Sequence, residues 1–393
     1  MTGSYKPKLI EVALPLAAIN DSSSREKSIR HGHPSTFHLW WARRPLAAAR
    51  AVIWASLVDD PSADESLSAD EQQRERERLF ALLEELAKWE NIRNDDLLAA
   101  AKAEIDRCYE GPPPAVLDPF GGGGTIPLEA QRLGLQSMSG DLNPVAVLIH
   151  RAMLDLPVRF AGCAPAHPSL QSQLGSWQRA QGLAADVAAY AEVVRDEAFA
   201  RLGAFYPPVE TQNGDQISLA WIWARTVPSP DPSWGSSVPL VKSWVLRKKR
   251  GKPTIWVEPI VDRTSKTIAY RVREGGSPPD GTVTRDGAVC LATGSAIPFE
   301  HIRNSGTEGA LGEQLIAVVS EGPTGRSYHS PSERHIEAAH AMDDVPGPPG
   351  RLPEGGLGFR VQRYGFTDWA SLFTRRQRLT LETFGQLLDG VQD

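Results

Sequence analysis

Apolar positions recur at helical spacing through the first hundred residues and give way to strand-like runs after residue 217. Leu79, Leu82, Leu83, Leu86 and Trp89 fall on one face, behind Ser68 and Glu71 at capping-box spacing, and predict an acidic pair of helices over 66–110. Residues 1–58 read as a compact leader rich in helix. Gly111-Pro112-Pro113-Pro114 stops helix, and Val116-Leu117 begins a short strand. A glycine turn, an amphipathic helix around 128–133 and a second strand ending at Asp141 follow, which is a βαβ opening. A helix is expected over 183–202, then short strands over 219–224, 254–259, 267–272 and 282–289. Residues 346–358 read as a linker and 369–388 as a final helix, with an apolar set Leu379, Leu381, Phe384, Leu387 and Leu388. The pattern divides the chain into a helical region 1–110, a βα portion 111–205, a β-rich region 206–345 and a linker with terminal helix 346–393. No internal repeat is present.

Composition changes this picture little. The longest apolar run, 45–58, contains Arg50 and is too short to cross a bilayer, and no charged segment followed by an apolar stretch opens the chain. Cys108, Cys163 and Cys290 are odd in number and far apart, which argues against a disulfide framework and for a reducing, cytoplasmic setting. Charge changes it more. The net charge is −6, yet 59–110 holds 16 acidic and 7 basic residues, so the remainder sums to +3. Basic clusters at Arg247, Lys248, Lys249, Arg250 and Lys252, and at Arg375, Arg376 and Arg378, are candidate phosphate contacts, because local charge decides such binding.

The chemistry concentrates in Asp118-Pro119-Phe120-Gly121-Gly122-Gly123-Gly124-Thr125. Four glycines between a strand and a helix let backbone approach a ligand closely. A phosphate loop would need a lysine before Thr125, and a dinucleotide fingerprint would need glycine or alanine where Ile126 stands. The dinucleotide reading stays open as a poor fit, and the third option is the methyltransferase loop, with its carboxylate at the strand end. Asp141 lies 23 residues beyond Asp118, in Gly140-Asp141-Leu142-Asn143-Pro144, where an acidic side chain can accept from both ribose hydroxyls of a nucleoside. His31, His33 and His38 have no carboxylate or cysteine at ligand spacing and do not read as a metal site.

Residues 118–146 resemble the cofactor motif of bacterial and archaeal adenine-specific DNA methylases, in particular the zinc-ribbon-containing subfamily. Lys8-Leu9-Ile10-Glu11-Val12-Ala13-Leu14-Pro15, Arg25 to Pro34, Leu39-Trp40-Trp41-Ala42-Arg43-Arg44-Pro45, Tyr364-Gly365 and Leu372-Phe373-Thr374-Arg375-Arg376-Gln377 carry the same resemblance. It implies an α/β fold: a Rossmann-like methyltransferase core begun at Val116, a helical region before it and a β-rich insertion after it. The insertion mixes Trp244, Arg247, Arg250 and Trp256 and is the candidate DNA-reading region. The resemblance implies S-adenosylmethionine as cofactor, held by Asp118, Pro119, Phe120, Gly121, Gly122, Gly123, Gly124, Thr125, Asp141 and Asn143. It also implies that 33–45 walls the methionine end.

Two departures qualify that implication. Amino-methyltransferases hold the target amine with an Asp/Asn-Pro-Pro-Tyr/Phe tetrapeptide, and none of the Pro-Pro pairs here, at 112–114, 207–208, 278–279 and 348–349, fits it. No catalytic residue is therefore assigned. The chain is expected to be the N-terminal part of such an enzyme, completed by a second polypeptide; a non-catalytic cofactor- or DNA-binding remnant and a nicotinamide-dependent oxidoreductase are the rival readings. The subfamily's zinc ribbon is also eroded. Its first cysteine pair falls at Ser229 and Trp234 and its second at Cys290 and Thr293, so no metal is expected.

Overall fold

Helix α3 is apolar nearly all round, and the first unit of the chain, residues 1–188, is built about it. The computed structural model describes residues 5–171, 176–212, 214–323, 325–342, 344–355, 358 and 360–391, and a second unit comprises residues 189–393. In the first unit α1 (Leu9–Val12), α2 (Leu16–Glu26), α3 (Leu46–Leu57), α4 (Ala69–Ala87) and α5 (Asp95–Arg107) surround a core of Leu9, Trp54, Leu83 and Ile105. The buried indole of Trp54 donates to the Ala101 carbonyl at 2.9 Å. The expected acidic pair of helices is present as α4 and α5. Ser68 and Glu71 close the capping box, and Leu79, Leu83 and Leu86 are buried while Arg78 bridges outward to Glu75 and Glu104.

Strand β1 (Val116–Asp118) pairs in parallel with β2 (Ser137–Ser139), and α6 (Thr125–Arg132) connects them. The second strand ends at Ser139, two residues earlier than its sequence suggests. Gly140 still donates to the Asp118 carbonyl at 3.0 Å, but Asp141 turns its carboxylate back onto the amide of Asn143 at 2.8 Å and leaves the ladder. Asn143 then caps α7 (Pro144–His150), which runs through a π turn, Arg151–Asp155, into α8 (Leu156–Arg159). Ala130, Leu133 and Leu135 join the core of α3 and α4, so one core runs through 1–110 and the βα portion. The other face is bare: the register partners Leu117 and Met138 are 65% and 55% exposed.

The boundary between the units falls within α9 (Gln181–Leu202). In the second unit β3 (Val209–Thr211), β4 (Gly214–Pro228), β5 (Ser237–Leu240), β11 (Gly312–Gly322) and β12 (Gly325–His329) form an antiparallel sheet in the order β12-β11-β4-β3, with β5 also on β4. A separate three-stranded sheet joins β6 (Val245–Arg247), β7 (Ile255–Asp262) and β8 (Thr267–Glu274), and β9 (Gly287–Val289) pairs with β10 (Ala296–Pro298). Helices α10 (Phe299–Thr307), α11 (Glu333–His340) and α12 (Arg375–Gly390) complete it.

Three expectations are corrected here. Residues 282–289 are not one strand, because the buried Thr282 hydroxyl is taken by Pro239 and Val241 and only Gly287–Val289 pairs regularly. The final helix starts at Arg375, where Thr374 and Gln377 form a capping box, while Ala370–Leu372 is a 3₁₀ turn. Two members of the basic cluster beside it are engaged within the chain. Arg376 is buried, lies 3.6 Å from the Trp221 ring centre and donates to the Phe205 carbonyl, and Arg378 pairs with Asp344 at 2.7 Å. On α12, Leu381, Phe384 and Leu388 remain exposed.

Candidate functional site

The loop after β1 and the loop after β2 meet at the carboxyl ends of the two parallel strands. Asp118 accepts from the Phe120 amide at 3.2 Å and so caps its own loop. Gly121 donates to the Gly140 carbonyl at 3.0 Å, and Gly122 donates to Asp141 Oδ2 at 2.9 Å. The other Asp141 oxygen takes the Asn143 amide, and Asn143 in turn accepts from Val145 at 3.0 Å. The amides of Asn143 first and Gly122 second hold the Asp141 carboxyl below its ordinary range, so it is ionised at neutral pH. Thr125, at the start of α6, donates to the Arg44 carbonyl at 3.3 Å. The structure thus brings Asp118, Gly121, Gly122, Gly123, Gly124, Thr125, Asp141 and Asn143 together. Pro119 and Phe120 sit at the rim, with Phe120 exposed.

The glycines divide by what requires them. A Cβ on Gly121 would lie 2.3 Å from the Ser139 hydroxyl, and one on Gly122 would lie 2.6 Å from the Trp40 indole nitrogen. Gly122 and Gly124 also adopt left-handed φ of 50° and 75°. These three are demanded by the chain's own packing. Gly123 and Gly140 are not: neither has positive φ, the nearest atom to a Cβ on Gly123 is 3.4 Å away, and nothing lies within 4 Å of one on Gly140.

Two side chains hold the loop in shape, one that sequence reasoning passed over and one within the expected wall 33–45. His150 on α7 is buried and its Nε2 lies 3.0 Å from the Gly122 carbonyl, which can only accept, so that nitrogen carries the proton. Its Nδ1 lies 3.2 Å from the Ser139 hydroxyl. No local pattern announces this residue, since it reaches the loop only through the fold. Trp40 is the second. It packs over Gly122 and Gly123, and a cavity of about 350 Å³ opens beside it. Lys27, His33, Arg43, Arg44, Trp41 and Thr125 line this cavity together with Gly123.

Glu26 forms one end of the cavity. Its carboxylate accepts from the amides of Leu46 and Ala47 at 2.8 Å each and so caps α3 across the chain, while burial raises its pKa. His33 is buried 3.7 Å from it. Burial first, then the Arg43 and Arg132 cations, lower the His33 pKa, so it is neutral and the pair is not an ion pair at neutral pH. Beneath the loop Arg50 of α3 and Glu129 of α6 are both fully buried and joined by an ion pair, with Arg132 on the second Glu129 oxygen.

In the second unit the positions expected to correspond to the eroded zinc ribbon do come together. Burial pushes the Cys290 thiol up, but hydrogen bonds from Thr293 and Ser229 outweigh it and bring it below its ordinary value. Trp234 is buried in the same cluster. Thr293, Ser295 and Asp231 form a hydroxyl–carboxylate chain, with Ser295 donating to Asp231 at 2.6 Å. Among the described residues no three His, Cys, Asp or Glu side chains gather as a ligand set. Purified protein is expected to carry no stoichiometric zinc, and a chelator should leave its melting temperature unchanged. Elemental analysis near one zinc per chain would contradict this.

A family described as protein of unknown function (DUF1156) matches residues 13–82, the stretch from α2 through most of α4. No curated protein and no solved structure matches the chain. Among the described residues no helix is long and apolar enough to cross a membrane.

Proposed function

We propose that the first unit binds S-adenosylmethionine across the loops after β1 and β2, as the cofactor half of a DNA adenine amino-methyltransferase whose amine-presenting part lies outside residues 1–393. In this reading β1, α6 and β2 open a Rossmann-like core, and the DUF1156 stretch supplies a wall of the cofactor site. The observation that carries it is the pair Gly123 and Gly140. Their own chain leaves both free to carry a Cβ, yet both are glycine and both flank Asp141 or the cavity. Close approach of a ligand gives a reason for glycine there.

Each residue then has a role. Asp141 keeps lone pairs beyond the two used by Gly122 and Asn143, and these would accept from the ribose hydroxyls. Lys27, Arg43 and Arg44 place positive charge in the cavity for the methionine carboxylate. When bound, the cofactor supplies an electrophilic methyl on sulfur. The chain's residues bind it, orient it and exclude water from one side. Two observations support an amine-presenting part outside these residues. No amine-presenting tetrapeptide occurs in the 393 residues, and parallel strands are otherwise covered on both faces, whereas Leu117 and Met138 are bare.

Titration calorimetry tests the cofactor assignment. Gly123→Ala should keep the melting temperature and weaken S-adenosylmethionine by roughly tenfold or more, since an unaccommodated methyl costs about 1–3 kcal/mol. Tight binding of a nicotinamide dinucleotide with none of S-adenosylmethionine, or undiminished binding in Gly123→Ala, would count against the site.

A further inference from the structure

We propose that the β6–β8 sheet and the turn between β6 and β7 form a surface for the phosphate backbone of duplex DNA. The inference rests on the reading that DNA is the methyl acceptor. In a chain of net charge −6, residues 245–274 hold nine basic and three acidic residues, a net of +6. Two of the acids are already engaged, Glu258 with Arg273 at 2.8 Å and Glu274 with Arg247 at 3.8 Å, and Asp262 is tied to the amides of Thr264 and Ser265. Lys248, Lys249, Arg250 and Lys252 are exposed and form no ion pair among the described residues.

The sheet arranges this charge on one side. Ile255, Val257 and Ile268 are buried, with Tyr270 and Val272 packed beside them. The alternate positions face solvent, and the register sets Trp256 beside Arg273 and Glu258 beside Arg271. The two long strands run antiparallel for eight residues each, about 27 Å at the usual rise. Lys248 to Lys252 sit at one end and Arg263 and Lys266 in the turn at the other. The solvent face of this sheet, with cations at both ends, suits the phosphates of a duplex laid along it.

Single strands and membranes fit less well. Trp244, a candidate for nucleic-acid contact from sequence, is 1% exposed and belongs to the core. Trp256 is half-buried with its indole donating to the Gly275 carbonyl at 2.7 Å, and a single half-buried ring does not make a platform for successive bases. The turn from Lys248 to Thr254 offers no large apolar side chain to insert into lipid. The contacts expected are to phosphate, and they position the duplex without reading bases.

The test is fluorescence anisotropy of the full chain with a 20-base-pair duplex, titrated with salt and without cofactor. Replacing Lys248, Lys249, Arg250 and Lys252 together by alanine should weaken binding at least tenfold on any sequence. It should also lower the slope of log K against log salt by about 3–4, near 0.9 per lost phosphate contact. Unchanged affinity and slope, stronger binding to the single strand, or stronger binding to phosphatidylserine vesicles would each overturn the proposal. Calorimetry of S-adenosylmethionine with the same variant separates the two readings. Retained cofactor binding without any duplex binding by the parent chain removes only this surface, and lost cofactor binding in the parent removes only the cofactor site.

Discussion

Replacing Glu129 by alanine is expected to lower the stability of the first unit by about 3–5 kcal/mol. Arg50 and Glu129 are both 0% exposed, and Arg50 also donates to the Leu86 carbonyl from inside the core. Removing the carboxylate leaves the Arg50 guanidinium buried without its counter-charge and frees Arg132 as well. Methionine at both 50 and 129 should lose less than the single change, because the desolvation cost of Arg50 then disappears along with the attraction and only the partly exposed Arg132 is left without its partner. Hydrogen exchange of the α3 and α6 amides gives the local free energies directly. Equal losses in the single and double variants would show that packing, not the uncompensated charge, sets the cost. The glycine loop should suffer in the same variant, since α6 begins at Thr125 and carries Glu129 on its second turn.

The second large effect is on catalysis. Residues 1–393 by themselves should transfer no methyl group to unmethylated DNA, and addition of a polypeptide bearing the Asp/Asn-Pro-Pro-Tyr/Phe tetrapeptide should restore transfer by orders of magnitude. A direct displacement needs the amine lone pair in line with the sulfonium methyl, and such positioning contributes several kcal/mol, on the order of 7–11 in the best cases. Nothing among the residues gathered at β1 and β2 is a candidate to present that amine. Tritiated methyl transfer is the assay. Robust turnover by this chain alone that vanishes in Asp118→Ala would refute the reading.

Local chemistry made some of this legible. The Ser68 capping box and the helix behind four glycines depend on neighbours within a few positions, and both appear where expected, whereas Asp141 lies two residues beyond the end of the second strand instead of closing it. Long-range pairing was not legible. Strand β11 was missed because Leu315 to Ser320 are buried without alternation, a pattern that a buried helix shares. The basic residues Arg376 and Arg378 looked like surface, and only the Trp221 ring and Asp344, far away in sequence, reveal their internal contacts. His150 was illegible for the same reason: it acts on the glycine loop from an element whose own pattern says nothing of it.

The bare pair Leu117 and Met138 bears on the life of the chain in a cell. Strands of three residues are too short to template fibril-like stacking, which needs segments of about six or seven. Their shortness limits edge-to-edge growth while leaving an apolar patch that chaperones and proteases recognise. Copies made in excess of whatever covers that patch should be cleared first. Abundance would then follow the supply of the covering element, and a Leu117→Gln, Met138→Gln chain should outlive the parent in a pulse–chase measurement.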